Sequence, residues 1–154
     1  NASVALTITD PSGRALLDAE WRYISVLLAD REPSKLRVLD LACGSGYQTL
    51  AFAERGFQTT GIDFDHALLQ AGRERVRRAG TTTLVPTWTC GDATRLPYGD
   101  ATMDLVFCNS LLEHVPAWRA VLEEMSRVLE TSEGALKASY HHAVKKIEEF
   151  ILNR

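Results

Sequence analysis

Residues 37–46, RVLDLACGSG, join a short apolar run to a turn of residues no bulkier than cysteine, and a helical pattern, YQTLAFAERG, follows at once. An apolar run of this length suits a strand buried on both faces, and small residues mark a backbone that turns sharply or is closely approached. The unit then recurs. FQTTGID, 57–63, predicts a second strand, and HALLQAGRERVRRAG a second helix stopped by Gly80. A weaker third strand is confined to 87–90 by Pro86, and MDLVFCN, 103–109, is the fourth and clearest. Pro116 opens a helix whose buried side carries Val115, Trp118, Val121, Leu122, Met125 and Leu129.

Strands alternating with helices through short connections imply right-handed βαβ units. The predicted fold is therefore α/β, a Rossmann-like doubly wound, mostly parallel sheet with helices on both faces. We read a single domain over 1–154, with an N-terminal helical cover (1–34), a core (35–130) and an abbreviated C-terminal part (131–154). In the cover, Leu16, Leu17, Trp21, Ile24, Leu27 and Leu28 recur at helical spacing after a cap at Asp10 or Ser12. Trp21 and Tyr23 there either cover a pocket or pack the core. The tail has room for one short strand over 135–139 and one helix, fewer elements than a sheet of five or six strands needs. The fold is abbreviated or segments are absent near 131–139, and a first residue of Asn1 suggests a piece of something longer.

In an open parallel sheet, ligands bind beyond the carboxyl ends of the strands. Those ends carry Asp40 and the small-residue loop, Asp63, Gly91 with Asp92, and Asn109 with Ser110. Three acids and an amide converge, and no Lys or Arg lies between Asp40 and Glu54. A triphosphate would want the lysine of a Walker loop, and a dinucleotide fingerprint counted from Gly44 finds Gly46 third but Thr49, not glycine, sixth. An acid before the turn suits a ligand with an amine or positive charge. The acid some twenty residues on suits a ribose diol in either case.

The succession VLDLACGSG, GIDFD and CGDATRLPYGDATMDLVFCNSLLEHV, over roughly residues 36–130, resembles the class I S-adenosylmethionine-dependent methyltransferases, in particular the branch acting on small molecules. The resemblance implies S-adenosylmethionine as cofactor, S-adenosylhomocysteine as product and a small-molecule methyl acceptor. It implies that Asp40 helps hold the methionine amine, while Ala42, Cys43, Gly44 and Gly46 let the backbone pass close to the methionine part. Asp63 then accepts the ribose hydroxyls, with Phe64 against the adenine. Asp92 accepts from the adenine amino group, the Ala93 N–H donates to the ring, and the Asn109 carbonyl faces the amine. Ser110, Glu113 and His114 border the place where the methyl leaves, and no catalytic residue is assigned. Ala42 stands where the family often has glycine, and we read it as tolerated on the expectation of a negative φ.

Each feature also has a plainer reading. Asp92 could cap a turn, Asp104 is a turn residue, His114 bonds locally or serves as a base, and the basic run 72–78 is a solvated helix face. Cys43 reads as a small buried thiol, and the adjacent His141 and His142 cannot share a helix face to form a metal pair. No metal is expected. A net charge of −3 disfavours nucleic acid, and no apolar run is long enough to span a membrane. Three scattered cysteines point to a reducing cytoplasm, and oligomeric state is left open. Two rivals remain: a module that binds the cofactor without transferring the methyl, and a nicotinamide-dependent oxidoreductase.

Overall fold

A computed structural model describes residues 4–8, 14–28, 30–80, 84–109, 111–112 and 114–136, with only the backbone for 4–8 and 14–20. The strands are β1 (Val4–Ile8), β2 (Arg37–Leu41), β3 (Gln58–Asp63), β4 (Thr87–Cys90) and β5 (Leu105–Asn109). The helices are α1 (Arg14–Leu27), α2 (Tyr47–Glu54), α3 (His66–Ala79) and α4 (Trp118–Leu129). The strands form one five-stranded sheet in the order β1-β5-β2-β3-β4, and every pairing is parallel. The chain runs outward from β2 through β3 to β4, then returns to β5 on the other side of β2. Strand order thus reverses between β2 and β5, which opens the binding crevice of such sheets beside Leu41 and Asn109.

Alternation along the central strands sorts the core into two layers. Val38, Leu105 and Phe107 pack on one face with Tyr23, Ile24 and Leu28 from the α1 segment and Phe52 of α2. Leu39, Leu41, Val106 and Cys108 pack on the other with Val121, Leu122, Met125, Val128 and Leu129 of α4. Burial on both faces is what makes these strands read as unbroken apolar runs. Phe52 anchors the first layer, fully buried and edge-on to Trp21, Phe57 and Phe107 at ring separations of 4.8, 5.5 and 5.6 Å. Trp21 and the buried Tyr23 therefore pack the core, which settles the choice between lid and packing. Arg55 stacks on the Trp21 ring, 3.8 Å from its centroid.

The ends of the elements follow from local chemistry. Asp65 caps α3, its Oδ1 accepting from the N–H groups of Ala67 and Leu68, and Gly80 ends it in a left-handed conformation. Asp104, expected as a turn residue, also holds Arg37 through both carboxylate oxygens and accepts from the Arg37 N–H, tying the entry of β2 to that of β5. Two expectations are corrected. A strand, β1, precedes α1 and pairs with β5 from Val4 opposite Leu105 to Ile8 opposite Asn109, so the cover is not wholly helical. Residues 133–136 are helical rather than the start of a strand over 135–139. The Ser132 Oγ accepts from the Ala135 N–H and the Ser132 carbonyl from that of Leu136, a capped turn that competes with extension. The expected caps Asp10 and Ser12, the rest of the tail strand and His141 and His142 lie outside the described residues.

Candidate functional site

Asp40 sits one residue from the end of β2, opposite Gly61 of β3 and Phe107 of β5. The residue is 3% exposed. Oδ2 accepts from the Thr49 hydroxyl at 2.6 Å, across from the first turn of α2. Burial pushes the carboxyl up to about 7, against the pull of the Thr49 hydrogen bonds and with a further push from the charge of Asp63. Thr49 occupies the sixth position of the turn, where a dinucleotide fingerprint has the glycine that lets helix and strand approach. Here that glycine lies across the sheet. A Cβ on Gly61 would stand 2.9 Å from the Cys43 Sγ and 3.0 Å from the Thr49 Oγ1. Thr49 and Gly61 escape a motif reading, and the threonine at the failed sixth position is the only hint of them.

Asp63 ends β3 and is 7% exposed. Its Oδ2 accepts from the Gly44 N–H at 2.8 Å and its Oδ1 from the Asp65 N–H at 2.9 Å. The acid expected at a ribose thus also clamps the loop after β2. Each oxygen of a carboxylate offers more than one acceptor site, so both tasks are compatible. The loop is further closed by the Cys43 N–H on the Ile62 carbonyl and the Gly46 N–H on the Cys43 carbonyl. Gly44 (φ 55°) and Gly46 (φ 76°) are left-handed, as their lack of a side chain allows. Ala42 is left-handed too, at φ 58°, which corrects the expectation of a negative value: this alanine carries the strain that glycine would avoid. The thiol of the half-buried Cys43 is pushed up to about 12 by burial and by the nearby Asp40 and Asp63, which disfavours the thiolate.

Phe64, next along from Asp63, is 82% exposed and presents an open ring at the end of β3. Asp92 is exposed, and its Oδ1 accepts from both the Thr94 N–H and the Thr94 hydroxyl at 2.8 Å. Those bonds hold it below the usual carboxylate range and give it the turn-capping role. Ala93 is half-buried against the α4 layer, and Asn109 is half-buried at the end of β5. His114 is exposed, with its backbone N–H on the Leu111 carbonyl. Ser110 and Glu113 lie outside the described residues. Asp40, the loop, Asp63 and Asn109 therefore meet at the ends of three adjacent strands, with Asp92 just past β4.

Residues 39–136 match the family described as Methyltransferase domain. The chain belongs to this methyltransferase family. Over 122 residues it is 33% identical to a demethylmenaquinone methyltransferase of Thermobifida fusca, covering 79% of this chain and 50% of that protein. It therefore spans half the length of that relative. Among solved structures it is similar to magnesium protoporphyrin IX methyltransferase of Synechocystis with bound SAH: TM-score 0.62, 22% identity, 74% of this chain and 52% of that one. It is similar also to the 4+2 cyclase SpnF, with TM-score 0.59 and 27% identity over 70% of this chain and 40% of that one. At 22% identity the first of these likenesses speaks to the fold alone.

Two outcomes test this geometry. In the unfolded chain an aspartate ionises near pH 4, whereas folded Asp40 keeps its proton up to about 7. Between those values the folded state binds the extra proton, so stability from this group is present at acid pH and lost as pH rises through 7. Asp40→Asn should thus gain stability relative to the parent chain as pH rises from 4 to 8 in urea unfolding, and a pH-independent difference would contradict the raised carboxyl. Ala42→Gly should leave stability unchanged or raise it by up to about 1 kcal/mol, because relief of left-handed strain offsets the greater freedom of unfolded glycine. A loss of more than about 1 kcal/mol in the same measurement would contradict the left-handed assignment.

Proposed function

We propose that the chain binds S-adenosylmethionine in the crevice between β2 and β5 and transfers its methyl group to a small-molecule acceptor. The observation that carries this reading is the buried carboxyl of Asp40 at the switch point, beside a loop without Lys or Arg. Such an acid repels phosphate and favours an ammonium group. The residues present fit the cofactor, since the left-handed Gly44 has open space where a side chain would stand and leaves backbone toward the methionine part.

The bound cofactor supplies a methyl already activated on a sulfonium. Asp40 orients the amine, directly or through water, with the Asn109 carbonyl opposite it. Asp63 takes the ribose hydroxyls on acceptor sites left over from the loop, and Phe64 covers one face of the adenine. Asp92 accepts from the adenine amino group while Thr94 keeps it ionised, and the Ala93 N–H donates to the ring. What remains for the protein is alignment of the acceptor with the methyl and exclusion of water. Ser110, Glu113 and His114, which come after β5 in the chain, are the acceptor-side residues. Demethylmenaquinone, named in the 33%-identical relative, favours a small organic acceptor. Three cysteines, all without a disulfide, favour the reducing cytoplasm as the place of action.

A second reading has a specific support. The likeness to a 4+2 cyclase puts this fold in a protein named for another reaction, so a cofactor-binding chain without methyl transfer is the rival. Cofactor binding and then turnover, measured on a broad acceptor panel, separate the two. For the site itself, S-adenosylhomocysteine should raise the melting temperature and NAD should not, and the reverse would favour an oxidoreductase. Asp63→Asn should weaken S-adenosylhomocysteine by about 1–3 kcal/mol in calorimetry, through lost charge-assisted bonds. Unchanged affinity would remove Asp63 from the ribose role.

A further inference from the structure

The arginines of α3 differ in what they hold, and exposed Arg73 donates to the Trp88 carbonyl at 3.4 Å. Arg77 and Arg78 are exposed and both pair with Glu74, as a solvated face should. Arg75 is half-buried and does something else. Its Nε donates to the Ser45 carbonyl at 3.1 Å, and its guanidinium carbon lies 3.5 Å from the centroid of the Tyr47 ring. The two residues it holds flank Gly46, the left-handed residue from which α2 starts without a side-chain cap.

The approach of α3 that permits this is built into the sequence. A Cβ on Gly72 would stand 2.7 Å from the Trp88 ring and 3.3 Å from the Ser45 carbonyl, and one on Gly46 would overlap the same ring. The indole of Trp88, from β4, is therefore slotted between the start of α2 and the middle of α3. Gly72 and Arg75 are three residues apart and share a helix face. The face that comes close enough to touch the loop is the one that carries the guanidinium. Only arginine both stacks flat on a ring and donates from its edge in a fixed direction. Tyr47 is 68% exposed, so its ring contributes little to the core and lies at the surface against Arg75.

We propose that Arg75 is a positioning residue of the cofactor site: it fixes Ser45 and Tyr47 on either side of Gly46, and so holds the loop in the shape that receives the methionine part of the ligand. The inference rests on the crevice being a site for S-adenosylmethionine. Asp63 clamps the loop at Gly44 from one side, and Arg75 clamps it at Ser45 from α3. Loss of the second clamp frees the end of the loop that faces the amino acid, while the adenosine half still has Asp63, Phe64 and Asp92.

Calorimetry with two ligands tests this, S-adenosylhomocysteine and 5′-methylthioadenosine, the second having the adenosine and sulfur but no amino-acid part. Arg75→Ala should weaken S-adenosylhomocysteine by roughly tenfold and 5′-methylthioadenosine by about twofold or less. Arg75→Lys, which keeps charge but not the planar fork, should restore part of the loss, and Arg78→Ala should leave both ligands unchanged. Tyr47→Leu alters an exposed side chain and should shift S-adenosylhomocysteine alone by roughly threefold, so it decides the matter if Arg75→Ala does not fold. Equal weakening of both ligands, or wild-type affinity in Arg75→Ala, overturns the proposal. A parent chain that binds neither ligand overturns the cofactor reading itself, a failure distinct from the other two.

Discussion

A carboxyl group buried at the end of a central strand sets the terms for everything around it. Burial raises the Asp40 carboxyl to about 7, and the surrounding residues offer it a hydroxyl rather than a cation. To supply that hydroxyl, α2 must begin close to β2, so the connection has to be a few residues of small size. To let α2 come so close, β3 must lack a side chain at the facing position, and Gly61 lies directly opposite Asp40 in the register. The tight turn, Thr49 and Gly61 are thus consequences of one buried acid. An isolated buried charge is costly, and fixed groups around it are worth keeping when a ligand completes the set.

The second acid has a different office. Asp63 lies one strand further out and bonds backbone N–H groups of two segments, the loop after β2 and its own turn into α3. The ends of β2 and β3 are therefore a single hydrogen-bonded unit before any ligand arrives, and the chain enters α3 at a fixed angle because Asp65 caps that helix. From that angle comes the approach of Gly72 and Arg75 to the loop. The elements framing the crevice are held in one arrangement by short polar links, while Phe52 on one face and Met125 with Leu129 on the other give the sheet its rigidity.

Much of this is legible in the sequence. The strand at 37–41 comes from its local pattern, because a strand buried on both faces has to read as an apolar run between turn residues, and the start of the more exposed strand at 87–90 comes from Pro86. The acids at strand ends are legible for the same reason. What escapes is set by contacts distant in sequence. Val4–Ile8 belongs to the sheet only because Leu105–Asn109 lies beside it, a pairing between segments so far apart that no local window contains both. The left-handed turn at Ala42 is imposed by closure of the loop onto Ile62, and an alanine does not announce it. Arg75 looks like its solvated neighbours until the position of the loop is known. The segment at 133–136 is too short for periodicity to separate strand from helix, and Ser132 decides it.

The buried carboxyl of Asp40, raised to about 7 and ready to ionise beside an ammonium group, is what favours a cationic adenosine. Calorimetric titration of the chain with S-adenosylhomocysteine at pH 7, repeated in buffers of different ionisation enthalpy, tests this most directly. An ammonium group seated beside Asp40 lowers its pKa, so binding should release a fraction of a proton, and 5′-methylthioadenosine, which has no ammonium group, should release none. Release that is absent with the first ligand, or equal for the two, would contradict that role for Asp40.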